Sequence, residues 1–578
     1  MIKLLKLFKY LKKYKNPLII VLILLFFQSI SQLYLPTLMA DIVDTGIVSG
    51  DTNYILKIGG VMLIVAALGA ICTIGASLLS AKISVGYGKD LRDIVFERVQ
   101  SYSLNEFNKF GTASLITRTT NDINQVQQVI IIMLRMIVTA PMMCIGGIIM
   151  AVSKDAKLSL IILIVIPILA LTIFGITRQG IPLFNAMQKK LDKLNLVLRE
   201  KLTGVRVIRA FNRDDYENKR FNKANKDLTD TAIKVNKIMA ALMPSMMIIL
   251  NLTTVLILWF GSIRVGDGNM EVGNLMAFVQ YVMQIMFSLI MVSMMFVLIP
   301  RASASATRIN EVLDQETSIK DLDKKENFND KKGYIEFKNV TYRYEGAETP
   351  AIENISFSAK PGEVTAIIGG TGSGKSTIVN LIPRFYDVKE GSILVDGVDI
   401  RNVDQKSLRQ KIGLVPQKAV LFSGTIEDNI RYGKEDASLE EIKNAAKTAQ
   451  AFEFISEMKD GFDSIIAQGG NNVSGGQKQR LSIARALVRK PEIYVFDDSF
   501  SALDFKTDAK LRHALKDETK ESTVIIVAQR VSTVMDADRI IVLDDGKVKG
   551  IGTHKELLKN CKVYCEIVES QLSKEEIA

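Results

Sequence analysis

The run Gly369-Gly370-Thr371-Gly372-Ser373-Gly374-Lys375-Ser376-Thr377 combines the residue types needed to hold a chain of phosphates. Glycines let backbone N–H groups close around phosphate oxygens at the start of a helix. A lysine adds charge at the β- and γ-phosphates, here Lys375, and the neighbouring hydroxyl, Ser376, reaches Mg2+. The run directly follows the apolar stretch Val364–Ile368 and opens an apolar helix, the frame this P-loop pattern requires. Downstream, Ile493-Tyr494-Val495-Phe496 reads as an apolar strand ending in Asp497-Asp498. Such a strand end holds one carboxylate, Asp497, near the metal's water shell and leaves the second for another role. Between these motifs, Val473-Ser474-Gly475-Gly476-Gln477 precedes a helical stretch from Lys478 to Ala486. A serine and two glycines at a helix start again present N–H groups to an anion, though alone they describe only a capped helix. The implied cofactors are ATP and Mg2+.

These residues need an α/β frame, and the C-terminal part provides it: short β-branched strands such as Val364–Ile368, Ile493–Phe496 and Thr523–Val527 alternate with helical stretches. The part before Arg301 differs in kind. It holds six stretches of about 20 mostly apolar residues, the length of a membrane span: Pro17–Ile42, Leu56–Ala81, Val129–Val152, Leu158–Thr177, Ala240–Arg264 and Val272–Pro300. An even number puts both ends on one side. Lys3, Lys6, Lys9, Lys12, Lys13 and Lys15 precede the first span, whereas the loop Asp41–Asn53 has aspartates and no lysine. That bias orients both termini and the α/β part to the cytoplasm of a multi-pass cell-membrane protein. Lys82–Gln128 and Arg178–Met239 are long, charged and helically periodic, so they read as spans continuing into the cytoplasm as rods. The Asp-, Glu- and Lys-rich stretch Glu311–Lys332 separates the halves. The expected domains are residues 1–315, an interfacial N-terminal helix with six spans; a linker at 316–332; and a nucleotide-binding domain at 333–578.

The chain has 578 residues and a net charge of +11, but its basic residues cluster beside the apolar spans, where they face anionic membrane lipids and not nucleic acid. Cys72, Cys144, Cys561 and Cys565 lack the CxxC spacing of a redox or zinc site and read as unpaired. The N-terminal MIKLLKLFKYLKKYK is basic and amphipathic without a small-residue cleavage site, as an interfacial helix is. No internal repeat is found, so the chain is one half-unit. Within the spans, Arg135 is costly in hydrocarbon, and it reads either as functional or as a snorkelling or paired structural residue. The sixth span is rich in methionine, with Met283, Met286, Met291, Met294 and Met295. Methionine suits both helix–helix gaps and a cavity for varied apolar ligands.

Taken in order, the motifs resemble the ATP-binding cassette (ABC) transporters over essentially the whole chain. The resemblance implies the type I or type IV ABC exporter fold, an all-α six-helix transmembrane domain followed by an α/β P-loop nucleotide-binding domain. Ser474-Gly475-Gly476-Gln477 resembles the family signature, with Val473 in place of the usual leucine. By the same resemblance Tyr344 stacks on adenine, Gln417 is the Q-loop glutamine that joins Ser376 and Asp497 at Mg2+, and Ser501-Ala502-Leu503-Asp504 is the D-loop. Phe110–Asp122 and Gly204–Phe211 resemble the segments around the two cytoplasmic coupling helices. The family implies a dimer in which each ATP lies between one chain's P-loop and the other's signature, so one chain cannot complete a site.

Three further positions depart from the family pattern. Asp498 stands where the family has a glutamate that acts as base or orienting group for the attacking water; it is one methylene shorter, and a misplacement of about an ångström can cost roughly 10²-fold in rate. Gln529 stands where a histidine follows the strand Thr523–Ala528; it can hydrogen-bond the γ-phosphate but carries no charge at pH 7. Gln468 stands where a glutamate is common. Asp498 and Gln529, the catalytic candidates, both weaken activation of water at the γ-phosphate, while the phosphate and metal ligands remain. The expectation is a degenerate site that binds ATP and hydrolyses it slowly, in a heterodimer with a second, non-identical half-transporter bearing glutamate and histidine. The expected function is export of small amphipathic or hydrophobic compounds, drugs or lipids, across the cytoplasmic membrane. Alternatives are a homodimer with two slow sites, an ATP-gated regulatory or channel-like protein, and an importer of metal–chelator complexes such as siderophores. Gln28, Gln32 and Gln284 are too few polar span residues to favour the last.

Overall fold

The computed structural model describes residues 2–321, 326–328 and 332–572. The linker expected at 316–332 lies partly outside the described residues, as does the side chain of Met294. Contacts divide the chain into two compact units, Met1–Gln100 with Ala113–Gln315, and Ser101–Thr112 with Glu316–Ala578.

In chain order the helices are α1 (Lys15–Asp41), α2 (Thr52–Gln100), the short α3 (Leu104–Phe110), α4 (Ile123–Lys154), α5 (Leu160–Thr203), the short α6 (Val205–Ala210), α7 (Asp214–Gly266) and α8 (Val272–Asp314). Among the described residues six helices are long and apolar enough to cross a membrane, and these six segments contain α1, α2, α4, α5, α7 and part of α8. The 49 residues of α2 and 53 of α7 extend about 74 and 80 Å at 1.5 Å per residue, far beyond a hydrocarbon core of about 30 Å. The rods expected from the charged, periodic stretches are these extensions.

In the first unit α1 packs on α2, α4 on α8 and α5 on α7. Glycine permits the closest approach: a Cβ on Gly147 would stand 2.8 Å from Ile285 Cγ1, the small-residue contact that lets membrane helices meet. Asp155, after α4, is buried and receives Arg264 Nε of α7 at 2.5 Å. The Asp44 carboxylate accepts the N–H groups of Gly273 and Asn274 at 2.5 and 3.0 Å, satisfying orphan donors at the start of α8. The basic N-terminal segment lies against protein: Leu4 and Leu7 are buried, Asn310 Nδ2 donates to the Lys3 carbonyl at 2.8 Å, and Lys6 pairs with Asp314 at 2.6 Å. All four cysteines are free.

The second unit contains two main sheets. Antiparallel β1 (Ile335–Tyr342), β2 (Ile352–Ala359), β4 (Glu390–Val395) and β5 (Val398–Asp399) run in the order β2-β1-β4-β5. The larger sheet holds β3 (Val364–Gly369), β6 (Ile412–Val415), β7 (Ile493–Asp497), β8 (Thr523–Val527), β9 (Arg539–Asp544) and β10 (Lys547–Gly552), in the order β10-β9-β3-β8-β7-β6. Its inner strands β3, β7 and β8 are parallel and buried almost end to end, which is why they read as continuous apolar runs. Parallel pairing also brings the carboxyl ends of β3, β7 and β8 to one edge, where an open α/β sheet places its ligand.

Candidate functional site

That edge collects most of the candidate residues. At the end of β3 the chain turns through Gly372 (φ +85°) and Gly374 (φ +97°) into the helix α9 (Lys375–Leu381). A side chain at Gly374 would strain the backbone and stand 2.5 Å from Ile352 Cγ2 and 2.7 Å from the Ala351 carbonyl. Gly374 is therefore fixed by its left-handed turn and by its packing against the start of β2. Lys375 is buried, and its Nζ donates to the carbonyls of Gly369 and Gly370 at 2.8 and 2.6 Å. Burial pushes its pKa down, against the pull of Asp498 and Asp497. Thr377 is buried and Ser376 exposed, so its hydroxyl is open to a metal ion.

Asp497 ends β7 in a nearly dry position. Burial, and then the adjacent Asp498 carboxylate, push its pKa up to about 6, with Lys375 acting in the opposite direction. Asp498 follows with φ +46°, in the left-handed region that aspartate tolerates better than most residues. Its N–H donates to the Val527 carbonyl at 2.8 Å, and one carboxylate oxygen accepts from Gln417 Nε2 at 3.2 Å. Two carboxylates facing one lysine leave negative charge uncompensated. Among the described residues no group of three or more His, Cys, Asp or Glu could hold a metal ion. Ser376, Gln417 and Asp497 instead offer a hydroxyl, an amide and a carboxylate, hard oxygen ligands that suit a Mg2+ ion sharing its shell with phosphates.

Tyr344 reaches the same loop. Its hydroxyl lies 3.1 Å from Thr377 Oγ1, and its ring meets Tyr342 and Tyr386 edge-on, with centroids 5.0 and 5.6 Å away. The short helix α3, remote in sequence, belongs to this unit, and Asn108 Nδ2 donates to the Tyr386 hydroxyl at 3.4 Å. Ser103 caps α3 in a box with Glu106. Glu106 is buried, which would raise its pKa, but hydrogen bonds from Ser103 and Ser318 outweigh burial and hold it below the usual carboxylate range.

The signature residues lie apart from this cluster. Ser474 caps the helix α10 (Gly475–Leu487): its Oγ accepts from Gln477 N–H at 3.2 Å, and Gln477 Oε1 accepts from Ser474 N–H at 2.9 Å. Gly475 is exposed, and a Cβ on Gly476 would stand 3.1 Å from the Ala502 carbonyl, a tight contact. The signature thus packs against the D-loop of its own chain. Gln529 follows β8 and is exposed; its carbonyl accepts from Gln571 Nε2 at 2.8 Å. Gln468 is likewise exposed.

Sequence reasoning missed Ser499, fully buried, whose Oγ donates to the Val415 carbonyl at 3.1 Å and ties the chain just beyond β7 to the end of β6. It missed Tyr386, Glu106 and Gln571 as well. The Ser103-x-x-Glu106 spacing is a legible capping box; the partners of the others are too distant in sequence to be read.

Residues 18–289 match the ABC transporter transmembrane region, and residues 352–501 match the ABC transporter domain. An uncharacterized ABC transporter ATP-binding protein of Mycobacterium tuberculosis is 42% identical over 567 residues, 97% of either chain. The ATP-dependent lipid A-core flippase of Syntrophus aciditrophicus is 33% identical over 88% of this chain and 84% of its own length. A fatty acid ABC transporter ATP-binding/permease protein of Mycobacterium bovis is 33% identical over 83% of this chain and 76% of its own. A bacterial Atm1-family ABC exporter with ATP bound has a similar fold, with a TM-score of 0.81 and 26% identity over 97% of this chain and 99% of that one.

Proposed function

The chain belongs to the ABC transporter family, whose members hydrolyse ATP to drive transport, and from that premise we propose that it is the slow-site half of a heterodimeric exporter. Its membrane unit and ATP-binding domain carry the exporter fold, and exporters of this family work as dimers. The reading beyond the family rests on Asp498. A glutamate reaches further from the same backbone; Asp498 instead takes an amide hydrogen bond from Gln417 at 3.2 Å and sits in a left-handed conformation that suits aspartate.

In this reading Lys375 and the N–H groups of Gly369–Thr377 bind the phosphates of ATP, Tyr344 stacks on the adenine, and Ser376, Gln417 and Asp497 hold Mg2+. When bound, the ion neutralises phosphate charge. Asp498 and Gln529 orient water and the γ-phosphate weakly, so ATP stays bound for many cycles of the partner's site. The faster site combines Ser474–Gln477 of this chain with the P-loop of a non-identical partner that carries glutamate and histidine. The cassette and both termini face the cytoplasm.

The substrate class in this reading is amphipathic. Relatives named for lipid A-core and for fatty acids support it, as do exposed, flexible Met243, Met247 and Met291 in the membrane unit. The test is ATP turnover by the full chain in lipid nanodiscs, alone and with a half-transporter from a neighbouring gene. Slow turnover alone and brisk turnover together is the expected result. Brisk turnover by the lone chain would falsify the slow-site reading and favour a homodimer.

A further inference from the structure

The segment that carries Gln529 has a structural fault that another part of the chain repairs. After β8 the backbone passes exposed Gln529 and Arg530 and enters the helix α11 (Val531–Val534), whose N-cap, Arg530, makes no side-chain capping bond. The first N–H groups of a helix need an outside acceptor. The Val531 N–H finds one in Gln571 Oε1 at 2.8 Å, and the same amide's Nε2 donates to the Gln529 carbonyl at 2.8 Å. One primary amide thus spans Arg530, holding the backbone on both sides of it. Only a side chain with a donor and an acceptor on one carbon can do this. Arg530 points the other way, with Nη2 donating to the carbonyl of Ser501 in the D-loop at 3.2 Å.

Gln571 is itself held in place. It follows the helix α13 (Lys562–Glu569), which buries Tyr564 and Val568 completely, and its N–H donates to the Val568 carbonyl at 3.0 Å. The Tyr564 hydroxyl lies 2.7 Å from Nδ1 of His554, the first residue of α12 (His554–Asn560).

We propose that Gln571 is a positioning residue for Gln529: the C-terminal helix, through this amide, fixes where the γ-phosphate-contacting side chain can stand. The proposal rests on the reading of Gln529 as that contact. Gln571 acts through the backbone of residues 529–531.

The test compares Mg-ATP and Mg-ADP affinities of the full chain in nanodiscs, by competition with a fluorescent nucleotide. Gln571→Ala lowers the preference for ATP over ADP by about threefold to tenfold, leaving ADP affinity unchanged while the melting temperature falls by a few degrees. Gln571→Glu keeps the acceptor for Val531 and loses the donor to Gln529, so it loses part of that preference; it decides the matter should the alanine variant not fold. ATP and ADP affinities that fall together, or do not move, overturn the clamp. Gln529→Ala separates the two claims. If it lowers the ATP preference and neither Gln571 variant does, the clamp alone fails. If Gln529→Ala leaves the preference intact, the assignment of Gln529 fails and takes the clamp with it.

Discussion

Lys375 is buried and held by two carbonyls at 2.6 and 2.8 Å, whereas Asp498 takes a single amide bond at 3.2 Å and the side chain of Gln529 stands in solvent. Both regions lie at the carboxyl edge of the same sheet, on strands that share a parallel register. Phosphate binding draws on backbone geometry and glycine conformations that tolerate almost no substitution, because a Cβ at Gly374 meets main chain. Water activation, in the slow-site reading, draws on two exchangeable side chains at strand ends, Asp498 and Gln529. A chain can therefore lose speed at the second region while keeping the first intact, and no departure from the family pattern falls in the phosphate-binding run Gly369–Thr377.

The sharpest way to break this contrast is to damage the region held to be intact. Lys375→Ala removes a charge that meets phosphate oxygens, and a charge-assisted bond contributes about 1.5–3 kcal/mol, so ATP affinity falls roughly 10- to 150-fold. Equilibrium binding of Mg-ATP to the full chain measures it. An affinity within twofold of the parent chain would mean the loop does not bind phosphate as its geometry implies.

The next test strengthens the weak region. Asp498→Glu with Gln529→His restores carboxylate reach and a titratable switch group, and turnover by the chain with its partner rises about tenfold. The single change Asp498→Glu gains less, because the position has φ +46°, where glutamate is less at ease than aspartate. ATP hydrolysis by the purified complex is the measurement. No gain from the double variant would place the limit at other residues.

The contrast also bears on what the sequence could reveal. The P-loop was legible because its glycines stand between an apolar strand and an apolar helix, so pattern and context agree. The spans were legible by length, and their cytoplasmic extensions by charge with helical period. Partners far along the chain were not legible. Gln571 acts on backbone groups 40 and 42 residues away, and no side-chain pattern marks a backbone acceptor. Glu106 caps its own helix, which spacing shows, but it also accepts from the Ser318 N–H at 3.2 Å, 212 residues on. Leu4 and Leu7 share the difficulty: an amphipathic pattern marks the apolar face without saying whether lipid or protein covers it.

The smallest expected effect concerns Asp497, where the two regions adjoin. Its carboxyl titrates near pH 6 because burial and then Asp498 raise it. A raised carboxyl pKa means that the folded, empty site holds its proton more tightly than the unfolded chain does. That group's contribution to the stability of the empty cassette therefore grows as pH falls from about 6 towards 4, while the ionised form needed for Mg2+ disappears over the same range. Mg-ATP affinity should be level above about pH 7 and drop about fourfold between pH 7.5 and 5.5. Asp497→Asn removes this titration: its affinity is lower throughout and flat across that interval, since an amide neither ionises nor repels Asp498. A parent chain whose Mg-ATP affinity does not change between pH 7.5 and 5.5 would show that Lys375 compensates the carboxylate pair fully. The second region would then owe its weakness to the reach of Asp498 and Gln529 alone, and not to charge left over from Asp497.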